Sequence, residues 1–328
     1  MTPAVSILVP IYNVSKYIER CAHSLFQQTF EDIEYVFVND CTPDDSIEKL
    51  QKVLEQYSNR KSFVKIIHHE KNRGLATARN TAIDNSTGKY IQHIDSDDWV
   101  ELDMVETMYN KAEKEQADIV TSGYITEYTK HNKIEKDNIF PTWKENFLHI
   151  LSEDALACVI NKLVKSELYK KADCRPVEGL NYGEDRHTSI RIYFYARKIV
   201  NVDKTFYHIN RSDENISITS SKRRIHFENT IHFFSSLEEF FKEKNVYEDY
   251  KQILEQQKIK FKIHLFFCTN IPSLRYEYRN IFIEEEKKHY NTLKPVKKVM
   301  LFCSKRRYLL WITQTLRKLL LLKIKLFS

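Results

Sequence analysis

Apolar runs alternate with helical patterns through the first hundred residues of the chain. The apolar runs are each four to seven residues long and lie at 5–11, 33–38, 64–67 and 90–94. The helical patterns between them lie at 15–28, 44–57 and 76–84. Short apolar runs of this kind are typical of strands buried on both faces, as in a parallel sheet covered by helices. The pattern predicts an α/β fold.

The pattern changes in the rest of the chain. A helical stretch from 103 to about 115 precedes a strand at 119–121, and the polar residues 129–138 indicate a surface hairpin or loop. A short apolar pattern returns at 193–207, helical spacing dominates 227–267, and Pro295 marks a break before the last segment. We therefore predict three segments, an α/β domain, a helical extension and a tail, over residues 1–220, 221–292 and 293–328.

Composition and charge narrow the class of protein. The 328 residues are 42% hydrophobic with only five glycines and seven prolines, which is typical of a globular protein and excludes collagen-like or disordered chains. The net charge is +6, but twelve of the 51 Lys and Arg residues lie after residue 286, where there is no Asp or Glu. Because leucines and aromatics are interspersed there, the tail is interpreted as binding an anionic membrane surface, with no nucleic acid partner.

The distribution of cysteines and the residues at the start of the chain bear on the cellular compartment of the protein. The six cysteines are scattered without a C-x-x-C pair, so neither a disulfide framework nor a zinc site is predicted. No signal peptide is evident at the start, and basic residues interrupt the tail too often for a spanning helix. We expect a cytoplasmic protein that is peripheral on the inner face of the plasma membrane.

Three carboxylates in four positions follow the run at 90–94. Asp95, Asp97 and Asp98 repel one another, and placing them partly out of water is costly unless a positive charge is near. Ligands of such sheets bind beyond the carboxyl ends of the strands, where Asp40 and Asp95 both fall. A cation is the simplest partner for this group.

Four segments, in this order, resemble the N-terminal domain of family-two glycosyltransferases. They read VSILVPIYN from Val5, VND ending at Asp40, NRGLATARN from Asn72 and DSDD from Asp95. The resemblance covers roughly residues 4–215. It implies inverting enzymes with the GT-A nucleotide-sugar-binding fold, a Rossmann-like mixed, mostly parallel sheet flanked by helices, here with a helical C-terminal extension.

The resemblance also implies a nucleotide-sugar site and a metal ion, Mg²⁺ or Mn²⁺. Asp97 would be the direct metal ligand, Asp95 would hold the ribose or the donor sugar, and the backbone of Ser96 would face the diphosphate. His208 lies in a matching segment near phosphate or metal, although a lone histidine is also commonly structural. The nucleotide base would contact Asp40.

Further donor-binding residues follow from the same segments. Pro10 and Tyr12 would wall the base pocket, and Arg79, in a helix opened by Gly74, would point at the diphosphate, although an arginine also commonly forms a surface ion pair. The chain departs from the family at Cys41, where a glycine is usual, which limits positive φ there and bears on the shape of the base loop.

A second acidic group supplies a candidate base. An inverting displacement needs one carboxylate within hydrogen-bond reach of the attacking hydroxyl. Asp185 in the segment YGEDR is the candidate, with Glu184 as the alternative. Acidic residues are also favoured at a helix start, so a purely structural role stays open and is compatible with the first.

The sequence thus predicts a metal-assisted inverting glycosyltransferase. Its donor would be a nucleoside-diphosphate sugar, a UDP-sugar in the first place, and its acceptor a hydroxyl of a growing surface polysaccharide or lipid-linked glycan. Two alternatives are a non-catalytic nucleotide-sugar-binding protein of the same fold and a nucleotidyltransferase. The second expects a glycine-rich phosphate loop near the N-terminus, which the segment from Val9 to Asn13 is not.

Overall fold

The chain forms two compact units, Met1–Thr219 and Ser220–Ser328. The computed structural model describes residues 2–152, 157–171, 174–212, 223–268 and 277–304. We refer to the first as the α/β unit and to the second as the helical unit.

A nine-stranded sheet organises the α/β unit. The strands are β1 Val5–Ile11, β2 Ile33–Asn39, β3 Val64–His68, β4 Tyr90–His93, β5 Trp99–Val100, β6 Ile119–Tyr128, β7 Asn132–Glu135, β8 Lys162–Lys165 and β9 Ile199–Arg211. Their order is β3-β2-β1-β4-β8-β6-β9-β5, with β7 beside β6. The first four are parallel, β8 is antiparallel to both neighbours, and β6 and β9 are parallel. The predicted α/β fold with a mixed, mostly parallel sheet is confirmed.

Within the described residues of the α/β unit, seven α-helices lie between these strands. They are α1 Ile18–Phe26, α2 Ser46–Leu54, α3 Leu75–Asp84, α4 Met104–Glu115, α5 Trp143–Ser152, α6 Ser166–Lys170 and α7 Glu184–Tyr195. All seven residues of β1 are buried, because β2 and β4 flank it and helices cover the sheet. In α1 the buried Cys21, Leu25 and Phe26 lie on one face at helical spacing. The continuous apolar run of β1 and the helical spacing of buried residues in α1 therefore agree with the elements that form there.

Two strands are longer than the sequence pattern predicts. Residues 119–121 are only the start of β6, which extends to Tyr128 and forms a hairpin with β7 inside the predicted polar segment. The pattern at 193–207 spans the end of α7 and the start of β9, a strand of thirteen residues. Polar residues in β6 and β9 interrupt the apolar alternation by which a strand is predicted from sequence. The two strands are stabilised by pairing with each other.

The helical unit has an aromatic core. Its described helices are α8 Arg223–Glu243, α9 Tyr247–Cys268, α10 Ile283–His289 and α11 Pro295–Ser304. Phe261 of α9 packs between Phe233 and Phe234 of α8, with ring centroids 5.7 and 5.3 Å away. Within the described residues, no helix is long and apolar enough to cross a bilayer. Most of the basic tail, 305–328, lies outside those residues.

Candidate active site

The carboxyl ends of three parallel strands gather the predicted donor-binding residues. Asp40 follows β2 and Asp95 follows β4, while Tyr12 follows β1, which lies between them. The Tyr12 ring is 47% exposed. The structure therefore brings these three residues to one edge of the sheet, as the rule for parallel sheets predicts.

Asp40 is a buried carboxylate that organises the loop before α3. One oxygen accepts hydrogen bonds from the Arg73 N–H and His69 Nδ1, at 2.8 and 2.7 Å. The other accepts the Gly74 N–H at 2.8 Å. A carboxylate offers about four acceptor positions, so these three bonds leave one.

His69 fixes the orientation of Asp40. Its Nδ1 must carry a proton to donate to the Asp40 carboxylate, and its Nε2 lies 2.9 Å from Thr81 Oγ1, which donates to it in the neutral ring. The ring thus links the ends of β2 and β3 to helix α3. This residue lies directly after β3, whose His68 is the register partner of Asn39, so correct strand register would have revealed the contact from the sequence.

Gly74 meets a steric and a conformational requirement. Its φ of +88° lies in the region that favours glycine, and a Cβ there would lie 2.8 Å from Asn181 Oδ1. The residue before α3 must therefore be small, so that its N–H reaches Asp40 while the loop containing Asn181 packs against it.

The segment after Asp40 adopts the left-handed conformation despite lacking glycine. Cys41 has a φ of +57° and an exposed side chain. Thr42 then holds the turn, since its Oγ1 accepts the Asn13 N–H at 2.8 Å and donates to Asp44 at 2.7 Å. The departure from the family glycine thus leaves a backbone conformation that is costly for cysteine.

Arg79 joins the two predicted acidic groups. Its side chain, 2% exposed, bonds Asp95 Oδ1 through Nη2 at 2.9 Å and Glu184 Oε1 through Nη1 at 3.0 Å, and Nη1 also contacts Asp185. Three carboxylates, one from the turn after β4 and two from the start of α7, therefore surround one guanidinium on α3. Both terminal nitrogens face carboxylates, so the diphosphate contact predicted for Arg79 stays a prediction.

The excess of carboxylates around Arg79 shifts the pKa values of Glu184 and Asp185. Burial and the neighbouring Asp185 charge raise the pKa of Glu184 to about 8. Burial also raises the pKa of Asp185, against the opposing effect of Arg79. Glu184 is then protonated at neutral pH and donates a hydrogen bond to Asp185. Asp185 is 25% exposed and Glu184 9%, so Asp185 is the accessible member of the pair.

The three aspartates of the acidic turn face different ways. Asp95 pairs with Arg79, whereas Asp98 is 3% exposed and accepts the Asn210 N–H at 2.7 Å and the Tyr207 hydroxyl. Burial and the charges of Asp97 and Asp95 raise the pKa of Asp98 well above its usual range. Asp97, the other carboxylate of the turn, is half-buried.

His208 lies between two glutamates rather than in a metal cluster. Its Nδ1 is 2.8 Å from Glu127 and its Nε2 is 3.0 Å from Glu101, while its ring stacks on Trp99. Across the described part of the chain, no group of three or more His, Cys, Asp or Glu side chains is arranged to hold a metal ion. The metal roles of Asp97 and His208 stay predictions.

Sequence reasoning did not predict the contacts that four residues make around this site, although Tyr207 and Asn210 lie in the same family-matching segment as His208. His69 orients Asp40, Tyr207 and Asn210 contact the acidic turn, and the Arg20 guanidinium lies 3.4 Å from the ring centroid of Trp99. Arg20 also interacts electrostatically with Asp98 and Asp97. The contacts of Tyr207 and Asn210 depend on the pairing of β9 with β5, for which a two-residue strand gives no sequence signal.

Comparisons with known proteins bear on this arrangement. The family model "Glycosyl transferase family 2" matches residues 6–171, which include the acidic turn. The putative glycosyltransferase EpsH of Bacillus subtilis (strain 168) is 34% identical over 263 residues, an alignment that covers 77% of this chain and 74% of EpsH. The chain belongs to glycosyl transferase family 2. It is accordingly a glycosyltransferase that uses a nucleotide sugar, and the resemblance found in the sequence is confirmed.

Solved structures confirm the fold of this family-two enzyme. S. aureus TarS 1–349 in complex with UDP-GlcNAc superimposes with a TM-score of 0.60 at 18% identity, covering 93% of this chain and 91% of TarS 1–349. The mannosyltransferase PcManGT of Pyrobaculum calidifontis, in complex with GDP-Man and Mn²⁺, has a TM-score of 0.51 at 13% identity and covers 96% of this chain and 88% of its own. The predicted GT-A fold is thus confirmed.

Proposed function

We propose that this enzyme transfers a sugar from a UDP-sugar, with inversion, to a hydroxyl of a surface polysaccharide or a lipid-linked glycan. The observation that carries the proposal is the Arg79 cluster. It joins Asp95, at the strand end where a donor is expected, to Asp185, a partly exposed carboxylate that can accept a proton. The proposed donor site and the proposed base would therefore be adjacent, as a single displacement requires.

The donor's base would bind between Asp40, Pro10 and Tyr12. Asp40 has one acceptor position left after its three hydrogen bonds, and an N–H such as that of uracil N3 suits it. The exposed Tyr12 ring beyond β1 offers a face against which a base stacks. The UDP-GlcNAc complex of TarS, which has the same fold, supports a uridine donor.

The diphosphate would lie beside Ser96 and Asp97 with Mg²⁺ or Mn²⁺. A half-buried carboxylate suits these hard cations, which usually take one or two protein carboxylates and complete their shell with substrate phosphates and water. Asp97 alone therefore fits, and His208 would join it only by giving up Glu101 or Glu127. When bound, the cation stabilises the negative charge of the leaving diphosphate. The Mn²⁺ complex of PcManGT supports this assignment.

Asp185 would act as the general base. Its raised pKa brings its basicity closer to that of an acid–base catalyst working near neutral pH, while the Arg79 charge opposes that rise. The acceptor hydroxyl would attack the anomeric carbon as its proton passes to Asp185, and the bond from that carbon to the diphosphate oxygen would break. The neutral Glu184 carboxyl orients Asp185 by donating a hydrogen bond to it.

The helical unit would attach the enzyme to the inner face of the membrane beside its acceptor. Helix α11 buries Met300 and Leu301 against α9, yet Val296 and Val299 on the same helix remain 50% and 46% exposed. Lys294 is exposed beside them, and the sequence from Lys287 onward has no acidic residue. An apolar stripe among basic residues suits an anionic lipid surface.

A release assay tests the proposal. Purified enzyme is incubated with a panel of UDP- and GDP-sugars, with Mn²⁺ or Mg²⁺ and with or without EDTA, and nucleoside diphosphate is followed. We expect slow metal-dependent hydrolysis of one UDP-sugar that is lost in Asp97→Ala and Asp185→Ala. Turnover of a GDP-sugar alone, or turnover that survives EDTA, would contradict the proposed donor or the proposed metal. Truncation after residue 291 tests the membrane role, by sedimentation with anionic vesicles.

A further inference from the structure

We propose that Tyr207 and Asp98 are positioning residues that hold the acidic turn in the conformation that binds the donor. The inference rests on the proposed function, in which Asp95 and Asp97 contact the donor and its cation. It assigns a role to Asp98 and to Tyr207, which lies 112 positions after Asp95 in the sequence.

Strand β9 anchors the segment that follows the turn. Val100 pairs with Tyr207 and Trp99 with His208 in antiparallel register. The Glu101 N–H also donates to the Phe206 carbonyl at 2.8 Å. The chain after Asp98 is therefore fixed, and the remaining freedom of the turn lies in residues 95–98.

The Tyr207 hydroxyl bridges the two ends of the turn. It accepts the Asp95 N–H at 2.9 Å and donates to the Asp98 carboxylate. The Asp98 N–H in turn donates to the Asp95 carbonyl at 3.1 Å. One buried hydroxyl thus sets the backbone position of Asp95, whose side chain reaches Arg79 at 2.9 Å.

Asp98 acts as an anchor because it faces inward. Its carboxylate accepts the Asn210 N–H at 2.7 Å, and Asn210 Nδ2 donates to the Asp97 carbonyl at 3.3 Å. Asp98 is only 3% exposed, so it contacts β9 rather than solvent or a ligand at the sheet edge. These bonds hold the backbone on both sides of Asp97.

Removing the Tyr207 hydroxyl should therefore affect ligand binding as well as stability. Tyr207→Phe keeps the ring but removes a partner from both the Asp95 N–H and Asp98. Residues that orient metal ligands typically change metal affinity or activity by about 10- to 100-fold when they are replaced. We expect an effect of that size on the affinity for UDP in the presence of Mn²⁺.

Tyr35 provides a matched control. It is also fully buried, and its hydroxyl also donates a hydrogen bond at 3.0 Å, but to the Leu25 carbonyl of helix α1 rather than to the acidic turn. Both Tyr35→Phe and Tyr207→Phe should lower the melting temperature, because each removes a buried hydrogen bond. Only Tyr207→Phe should weaken binding of UDP with Mn²⁺, measured by titration calorimetry.

Hydrogen exchange provides a readout that is independent of the ligand. The Asp95 amide should exchange faster in Tyr207→Phe than in the wild type, and should be unchanged in Tyr35→Phe. Asp98→Asn, which keeps the shape of the side chain but replaces one acceptor oxygen with an NH₂ donor, should change exchange and affinity in the same direction to a smaller extent.

The outcomes separate this inference from the proposed function. Wild-type exchange at Asp95 in Tyr207→Phe, or equal affinities in Tyr207→Phe and Tyr35→Phe, would overturn the positioning role. If the wild type bound no UDP, the proposed donor would be wrong, and hydrogen exchange at Asp95 would still decide whether Tyr207 holds the turn.

Discussion

Each unit of the enzyme buries a cluster of charges, but the two clusters are balanced differently. In the α/β unit, the single guanidinium of Arg79 pairs with three carboxylates. In the helical unit, Lys262 pairs with Glu286 at 2.7 Å, and Glu255 bonds Lys288 and the His289 ring, so each of these glutamates has a lysine partner.

The pKa values of two buried glutamates, Glu184 and Glu255, shift in opposite directions. The pKa of Glu184 is raised to about 8 by burial and by Asp185. Burial also acts to raise the pKa of Glu255, but hydrogen bonds from His289 and Lys288 outweigh it and leave that pKa below its usual value. A balanced cluster needs nothing further, whereas an excess of carboxylates favours a proton or a cation from outside. The imbalance is therefore what distinguishes a candidate site from a structural network.

The largest expected effect comes from removing the base. Asp185→Asn should lower the rate of sugar transfer by about 10²- to 10⁴-fold, the usual contribution of a general base. Donor binding should persist, and so should the fold, because the change removes one of three crowded carboxylates. Transfer kinetics and UDP titration measure the two effects. Transfer at the wild-type rate would show that another group takes the proton.

Removing the central cation should cost stability in both clusters. Arg79→Gln and Lys262→Gln each leave buried carboxylates without their cation, which typically costs about 3–5 kcal/mol. The two variants should differ in activity. Lys262→Gln should keep the wild-type rate per folded molecule, since Lys262 lies in the helical unit, whereas Arg79→Gln should lose it.

Denaturant unfolding and transfer kinetics, both at a temperature where the variants stay folded, make the comparison. Equal loss of activity per folded molecule in Arg79→Gln and Lys262→Gln would remove the distinction between the two clusters.

The sequence predicted the donor edge of the site better than the Arg79 cluster. Strand β1 begins and ends where its apolar run does, and parallel strands necessarily place Asp40 and Asp95 at one edge. The partners of Arg79 were not predictable in the same way, because Glu184 lies 105 residues further along the chain. Locally, Glu184 shows only the acidic character common at helix starts.

Side-chain contacts across the second half of the sheet were also not predictable from the sequence. β9 was predicted only in part, because its residues alternate irregularly and its length depends on pairing with β6. Without that strand, the contacts of Tyr207 with the acidic turn have no signal in the sequence. The bond from His69 to Asp40 was accessible in principle, since both residues directly follow paired parallel strands.

A third prediction uses the raised pKa of Glu184. The folded protein holds a proton on Glu184 that the unfolded chain releases above its ordinary pKa of 4.5. The resulting stabilisation is fully present below pH 4.5 and is lost progressively as the pH rises toward about 8. Glu184→Gln cannot titrate, so its melting temperature should fall less between pH 5 and pH 8 than that of the wild type.

The control for this prediction is Glu178→Gln, at a glutamate whose side chain is 62% exposed. Its melting temperature should follow the wild type across the same pH range. A Glu184→Gln curve parallel to the wild type would mean that the excess charge around Arg79 is relieved in another way, for example by a bound cation.

The smallest expected effect concerns Glu255 in the helical unit, where stability should depend on pH in the opposite sense to that expected for Glu184. Because the pKa of Glu255 is lowered, its stabilisation is present above pH 4.5 and is lost as the pH falls below that value. Glu255→Gln should therefore cost about 1 kcal/mol at pH 7, the typical net worth of a hydrogen bond, and progressively less under acid conditions. Glu284→Gln, at a side chain 82% exposed, is the control. If the deficit of Glu255→Gln instead grew toward low pH, the two clusters would share one electrostatic character, and imbalance would no longer mark the site.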